Sequence, residues 1–480
     1  MSDLQRVIVI VKRLPMTADP ASTLMRAFAV SAVLALAACA SSQPARVTKA
    51  NALDLTSFSA LPQMKTFTTQ AASAPIRSNS DIAADFMDLE FSLESGRALP
   101  VFTRFDGPMT VALAGDAPQT ATADLGQLLT RLRNEAGVEI SSKNDASASI
   151  VIEFLPRKQM QAVVPTAACF VAPRVRSWAD YRKNRNSARL DWTTLKRRER
   201  LAIFIPSDTS PQEVRDCLHE ELAQAIGPLN DLYRLPDSVF NDDNFHAVLT
   251  GFDMLVLRLH NSPELKNGMT PKDVAARLPA LLSKLNPDGE FTAERIYETN
   301  SRSWIVAIET ALGPGIPAKK REKAAELALK IARNEGWSDN RLAFSYFAYG
   351  RLNLGKDVPR AVAAFSQASK IYRSLPDGPI HVAHVDMQVA ALALSSGQPE
   401  VTIALADTAI PVAMRAQNAA LLATFLLLKA QALDQLGSVD KAQAARLDSL
   451  GWARYGFGAD SEVHARMADI AALSPIGIGG

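Results

Sequence analysis

Carboxylates, amides and a cysteine crowd one stretch of the chain: Cys217-Leu218-His219-Glu220-Glu221-Leu222-Ala223-Gln224-Ala225-Ile226-Gly227-Pro228-Leu229-Asn230-Asp231. Read as a helix, positions four apart share a face, so Glu220 and Gln224 point together into one cleft with Glu221 beside them. Gly227 lets the chain fold back after the last turn, toward Asn230. A carboxylate so placed is a candidate general base or an oxygen ligand for a cation. Catalytic zinc prefers imidazole, thiolate and carboxylate donors, so two neutral amide carbonyls beside one Glu make a poor zinc site. Oxygen-only ligation leans instead toward Ca²⁺ or Mg²⁺. No metal or cofactor is assigned on these residues, and Glu221 is the catalytic candidate only if the protein is an enzyme.

The stretch can be set beside H-E-x-x-H-x-x-G-x-x-H, the zinc-binding helix of metzincin peptidases. Glu221 then falls on the general-base Glu, Glu220 on the first His, Gln224 on the second, Gly227 on the turn Gly and Asn230 on the third ligand. Downstream, Ser238-Val239-Phe240-Asn241 looks like the Met-turn with Phe for Met. Together with Phe252-Asp253-Met254-Leu255-Val256-Leu257-Arg258-Leu259 and Gly268-Met269-Thr270, these motifs resemble an uncharacterised family of predicted bacterial lipoproteins with a zincin-like appearance. The resemblance covers roughly residues 86–285. It implies a fold and a compartment and supplies no established activity.

The elements that must position the motif follow from periodicity. Segments 108–113, 149–154 and 201–205 read as strands, and Asp124–Glu135 has apolar residues at helical spacing. Ser210-Pro211 opens the motif helix, Ser as N-cap and Pro in the first turn, and Gly227-Pro228 ends it. Helices follow at about 250–260 and 270–284. From 317 to 472 the chain is Ala-rich and helical. Gly355, Gly397 and Gly437 each end a helix, with Ala348, Ala390 and Ala430 at a fixed offset before them. This register resembles tetratricopeptide repeats with longer helices or loops. Within it, Gly350-Arg351-Leu352-Asn353-Leu354-Gly355-Lys356-Asp357 is one residue from a P-loop. Asp357 replaces the required hydroxyl and the turn joins two helices, so no nucleotide is expected.

The apolar run 27–38 fits the core of an export signal, and Leu36-Ala37-Ala38-Cys39 resembles a lipobox whose Cys39 is lipidated. Residue 40 is Ala, which points to the outer membrane, facing the periplasm. Removing residues 1–38 takes away Arg6, Lys12, Arg13 and Arg26 against Asp3 and Asp19, which cancels the chain's formal charge of +2. Two cysteines then remain, Cys169 and Cys217. In an oxidising compartment an even pair reads as a disulfide.

The 480 residues hold 48% hydrophobic and 21% charged side chains, which excludes wholesale disorder, and no apolar run is long enough to span a membrane. Charge balance gives no global field for nucleic acid. Arg174 to Arg200 is locally basic, with ten Lys/Arg against three Asp/Glu, and reads as a solvated insertion. His381 and His384 read as repeat-surface residues, and Asp242-Asp243 as a polar turn or part of a Ca²⁺ site with Glu220 or Glu221.

The expected organisation is a lipoprotein signal peptide (1–38), a flexible tether (39–85) and an α/β, mixed α+β, zincin-like domain (86–285). A connecting segment (286–316), an all-α tetratricopeptide-like helical repeat domain (317–472) and a tail (473–480) complete it. The expected function is that of an envelope lipoprotein that binds and scaffolds. Its metallopeptidase-like domain is degenerate, its membrane contact is the lipid anchor, and its repeats hold an envelope protein. The alternative is an active metal-dependent hydrolase with Glu221 as general base.

Overall fold

The computed structural model describes residues 61–473, apart from 69, 146, 296–300, 376 and 377. The signal and lipidation readings, Cys39 included, lie outside the described residues, as does the tail from 474. Among the described residues no helix is long and apolar enough to cross a membrane.

The N-terminal region is α/β. Strands β1 (Met109–Gly115), β2 (Ile140–Ser142), β3 (Ile150–Leu155), β4 (Phe170–Pro173) and β5 (Leu201–Pro206) form one mixed sheet in the order β2-β1-β3-β5-β4. All neighbours are parallel except β4, which runs antiparallel to β5 at the edge. Central strands β3 and β5 are covered on both faces, which is why they read as continuous apolar runs rather than alternating ones. The anticipated strands are present. Strands β2 and β4 were not anticipated: at three and four residues they are too short to show a period, and Pro173 is tolerated because β4 is an edge.

Helices α1 (Asn79–Glu90), α2 (Ala121–Ala136), α3 (Arg157–Gln161), α4 (Trp178–Asn184), α5 (Pro211–Ile226), α6 (Gly251–His260), α7 (Pro271–Ala275) and α8 (Leu278–Leu285) complete this region. The motif stretch is α5, capped by Ser210, whose side chain accepts from the Glu213 amide. The anticipated helix at 270–284 is two pieces, α7 and α8.

The reading of 39–85 as a flexible tether is corrected where it is described. Residues 61–68 and 70–78 lie outside helices and strands and are fastened down. The Lys65 amide donates to the Gly451 carbonyl, Phe67 stacks on Trp452 with ring centroids 4.6 Å apart, and Arg77 is buried between Asp85 and Asp237. Helix α1 then begins at Ser78, whose side chain caps it.

The C-terminal region is helical: α9 (Arg302–Leu312), α10 (Ala318–Asn334), α11 (Asn340–Asn353), α12 (Val358–Ser374), α13 (Pro379–Ser395), α14 (Pro399–Arg415), α15 (Ala419–Gln435), α16 (Val439–Phe457) and α17 (Asp460–Ala471). They pack as successive pairs, α9–α10, α11–α12, α13–α14 and α15–α16. Helix α9 falls in the segment read as a connector, so the array starts earlier than anticipated. Gly397 and Gly437 take positive φ (69° and 72°) where α13 and α15 end, which is the conformation a turn after a helix asks of glycine. The P-loop lookalike is structural: a Cβ on Gly350 would sit 2.8 Å from the Phe365 ring of α12, and Lys356 pairs with Glu322.

First-of-pair and second-of-pair helices are buried differently. Helix α14 buries five of its 17 residues, on one face, whereas α15 buries 13 of 17. A helix apolar all round must be covered all round. The second cover on the array's first-of-pair helices is the sheet domain. Gln212 of α5 bonds Asn418 and the Ala420 amide, and Arg215 donates to the Gln417 carbonyl. Tyr233 and Phe245 pack among Trp304, Phe344, Phe347 and Tyr372. His381, read as a surface residue, is fully buried at this junction against Asp243, and His384 lies beside Phe245.

Ala361 of α12 is fully buried against α11, whereas its neighbour Val362 is 44% exposed. Ala361→Leu should overpack the contact and lower unfolding free energy by about 1–3 kcal/mol, while Val362→Leu should leave it unchanged. Urea midpoints of the two variants check this; equal midpoints would undercut the packing described.

Candidate functional site

Four attachments hold α5. Its N-terminus is capped by Ser210 and follows directly from β5. Cys217, one turn before Glu221, is disulfide-bonded to Cys169, which immediately precedes edge strand β4; their Cα atoms are 6.1 Å apart. At the other end, Arg198 donates to the Gln224 and Ala225 carbonyls, which have no helical partners of their own. Arg198 is 3% exposed, so this member of the basic stretch is a helix cap and not a solvated charge. Gly227 makes the last contact. A Cβ there would stand 2.5 Å from the Leu257 side chain of α6, so the glycine is needed for close approach.

These constraints fix one face of α5 over a cavity of about 490 Å³. The opposite wall is the start of β4, Cys169 to Val171, with Trp192 beside it. Two loops close the ends, one carrying Glu94 and the other carrying Asp231, Asp242 and Asn244. The lining holds seven carboxylates and no Lys, Arg or His. Two of the seven have a cation outside the lining: Glu213 pairs with Arg157 at 2.5 Å, and Asp216 lies 3.6 Å from Arg215. For the other five, Glu94, Glu220, Glu221, Asp231 and Asp242, no ion pair forms among the described residues.

The electrostatic consequence is uniform in sign. Burial pushes the Glu220 carboxyl up to about 7. Burial, then the Glu220 and Glu94 charges, raise Glu221 well above the usual carboxylate range. Asp231 and Asp242 are raised in the same way, by burial and by neighbouring carboxylates. Each is a group losing water without gaining a positive partner among the described residues. Glu221 is only 4% exposed and its Oε2 has no hydrogen-bond partner among the described residues. Asp231 Oδ2 accepts from the Gln224 amide at 3.1 Å, and its Oδ1 has no partner among the described residues.

The structure brings together Glu220, Glu221 and Gln224 on the cavity wall, and Cys169 and Cys217 also line it. It does not bring Asn230 there: the Asn230 amide is turned toward α1 and donates to the Asp88 carbonyl at 3.0 Å. Gly227 packs beneath α6 rather than at the cavity. The Met-turn lookalike is a buried turn, with Ser238 Oγ and the Val239 amide both donating to Asp253 at the start of α6. Asp242 and Asp243 part company, Asp242 lining the cavity and Asp243 fully buried against the array. Sequence reasoning missed Glu94 and Asp231. Asp231 stood at the end of the motif stretch, and its acidity was the available signal; Glu94 gave none.

A zinc ion does not fit this donor set. Gln224 could offer only a neutral amide oxygen, Asn230 is turned away, and among the described residues no three His, Cys, Asp or Glu side chains gather closely enough to hold a metal. What the cleft offers chemically is a partly desolvated wall of carboxylates, able to hold protons or a cation.

Residues 79–280 match the sequence model of a family described as "Protein of unknown function (DUF2927)". This domain of unknown function runs from the first residue of α1 into α8. It contains every charged residue of the cleft, and the helical array lies outside it. No curated protein and no solved structure matches the chain.

Two outcomes are expected. A carboxyl raised to about 7 in the folded state is largely protonated in both states at pH 4; as pH rises from about 4.5 through 7 the unfolded chain ionises first, and stability is lost until the folded state ionises too. Glu220→Gln removes that cost. The variant should match the parent at pH 4 and be more stable at pH 8 by roughly 1–3 kcal/mol, read from urea unfolding at the two pH values. Reduction of Cys169–Cys217, whose partners are 48 residues apart in sequence, should lower stability by about 4 kcal/mol on chain-entropy arithmetic. An unchanged urea midpoint under dithiothreitol would count against the clamp.

Proposed function

We propose that the protein is an envelope lipoprotein that binds and does not cleave. In this reading a zincin-like domain has exchanged its metal site for a carboxylate-walled cleft, and a tetratricopeptide-like array supports it. The lipobox-like Leu36-Ala37-Ala38-Cys39 argues for the anchor and the compartment. The zincin-like reading is supported by a mixed sheet whose antiparallel edge strand β4 faces the motif helix across the cleft. The paired helices and their glycine turns support the repeat reading.

The observation that carries the absence of cleavage is what two amide side chains offer. Gln224 and Asn230 occupy the second and third ligand positions of the resembling motif; the Asn230 side chain is turned away to the Asp88 carbonyl, and Gln224, donating its NH₂ to Asp231, offers only a neutral amide oxygen, a poor zinc ligand. Glu221 is left as a general base with no positioned Lewis acid and no positive group among the cavity's walls to stabilise an oxyanion. An envelope protein held by the array would meet its outer helices, because the inner face is taken by the sheet domain.

The test is hydrolysis by the purified full chain of a mixed fluorogenic peptide set, with zinc, manganese or calcium added separately. No turnover above the level of Glu221→Gln is expected. Metal-dependent turnover that vanishes in Glu221→Gln would replace this reading with the hydrolase one.

A further inference from the structure

We propose that the groove between outer helices α10 and α12 is a docking site for an acidic peptide segment of a partner protein. Carboxylates of the segment meet Lys330, Arg333 and Arg360, and an apolar side chain enters between Tyr349 and Ala364. This rests on the reading of the array as the part that holds an envelope protein, and it names where and by what chemistry.

The groove follows from how the helices pack. Helices α10 and α12 both lie against α11, which forms the floor between them with Tyr346 and Tyr349. On the α12 side the gap is faced by Ala363, Ala364 and Gln367, and the two alanines are too small to close it. What remains is a concave space of about 560 Å³ whose lining includes no residue of the sheet domain.

Charge selects the occupant. The two helices that wall the groove hold nine Lys or Arg against two Asp or Glu. The next two outer helices, α14 and α16, hold four against four, so the surplus is local to this groove. Its lining sets Lys330, Arg333 and Arg360 against Glu326 alone. Arg360 pairs with Asp357 at 3.3 Å, while Lys330 and Arg333 form no ion pair among the described residues. A second observation is that Arg333 is held in place. Its Nε and Nη2 both donate to the Tyr346 hydroxyl, at 3.2 and 2.9 Å, and its guanidinium lies 5.1 Å from that ring's centroid. A phenol fixes the guanidinium without neutralising it, and a cation already ordered loses less entropy when a carboxylate binds.

Shape separates a peptide from other anions. A flat anionic bilayer would meet the rim cations and leave the aromatic floor uncovered. A free phosphate would fill a small part of the volume. Each wall is a helix of 17 residues, about 25 Å long. That length matches about seven residues of extended chain at roughly 3.3 Å each. An acidic segment with an apolar side chain at its centre satisfies rim and floor together.

The experiment is fluorescence anisotropy of labelled hexapeptides titrated with the full chain in detergent at low salt. The probes are Glu-Glu-Leu-Leu-Glu-Glu, Glu-Glu-Phe-Phe-Glu-Glu, Glu-Glu-Gly-Gly-Glu-Glu, and copies of the first two with Gln for Glu. Saturable binding of an apolar-centred acidic probe is expected, tighter than that of the Gly-centred probe and absent for the Gln copies. Lys330→Gln combined with Arg333→Gln should weaken it about tenfold or more, as loss of charged partners does. Ala363→Phe, at an exposed position, fills the groove and leaves every charge in place; it should weaken binding similarly. Arg415→Gln, on the exposed end of α14, should not. Urea midpoints equal to the parent's establish that the variants are folded. Absence of saturable binding by both apolar-centred acidic probes overturns the proposal. Binding as tight for the Gly-centred probe, or indifferent to Ala363→Phe, also overturns it, since the site would then be a bare cationic surface. So does a Cys39→Ser chain that sediments with phosphatidylglycerol vesicles only while Lys330 and Arg333 are present, which would give these cations to a membrane. A chain that cleaves nothing and ignores the probes loses only this inference; cleavage dependent on Glu221 would remove the reading beneath it.

Discussion

A single buried carboxylate ties the two parts of this molecule together. Asp243 is fully buried, and its oxygens accept from the Asn241 side chain and the Phe245 amide of its own loop, from Asn340 of α11, and from His381 of α13 at 3.3 Å. A charge so placed is tolerable only while all its donors are present, and removing one side would leave it stranded. The loop that carries it also carries Asp231, Asp242 and Asn244, which close the cleft. Alternate residues of one loop therefore serve two purposes. The cleft has its present shape because the helical array holds that loop from behind, with Phe245 wedged among Phe344, Phe347 and His381.

Set against this is the cleft's own electrostatics. Its carboxylates lose solvation and repel one another, which opposes folding near neutral pH. The surroundings offset that locally. Arg198 secures the end of α5, the disulfide fixes its middle to β4, and Arg234 holds the cleft loop to α1 through Asp85 and Asp88. Unfavourable charge is concentrated in one place and braced all round.

How much of this was legible in the sequence depends on the range of the interaction that decides each feature. Helix α5 was legible because its signals are local: Ser210, Pro211 and Gly227 stand at its ends. Strands β3 and β5 were legible because double coverage leaves unbroken apolar runs. The pairing of Cys169 with Cys217 followed from compartment and count. Strand β4 was not legible, since four residues ending in Pro become a strand only through β5. Helix α9 was read as connector, although Trp304 and Ile308 bury it against the array. Within the site, spacing aligned Gln224 and Asn230 with ligand positions, but spacing says nothing of where an amide turns. That was settled by the Asp88 carbonyl, more than a hundred residues away. His381 and His384 looked like surface residues because nothing local reveals that a second domain covers their helix.

The strap of residues 61–78 has a mechanical consequence. It crosses α16, near the end of the array, before it reaches α1 at the start of the sheet domain. Tension applied there falls first on the Lys65–Gly451 hydrogen bond and on Phe67, lodged between Trp452, Tyr455 and the guanidinium of Arg215. Arg215 belongs to α5, the helix that walls the cleft. Load along the strap is thus shared by the outermost helical pair and by the base of the cleft helix. The sheet is shielded from it, since Arg77, clasped by Asp85 and Asp237, forms a second anchor beyond Phe67.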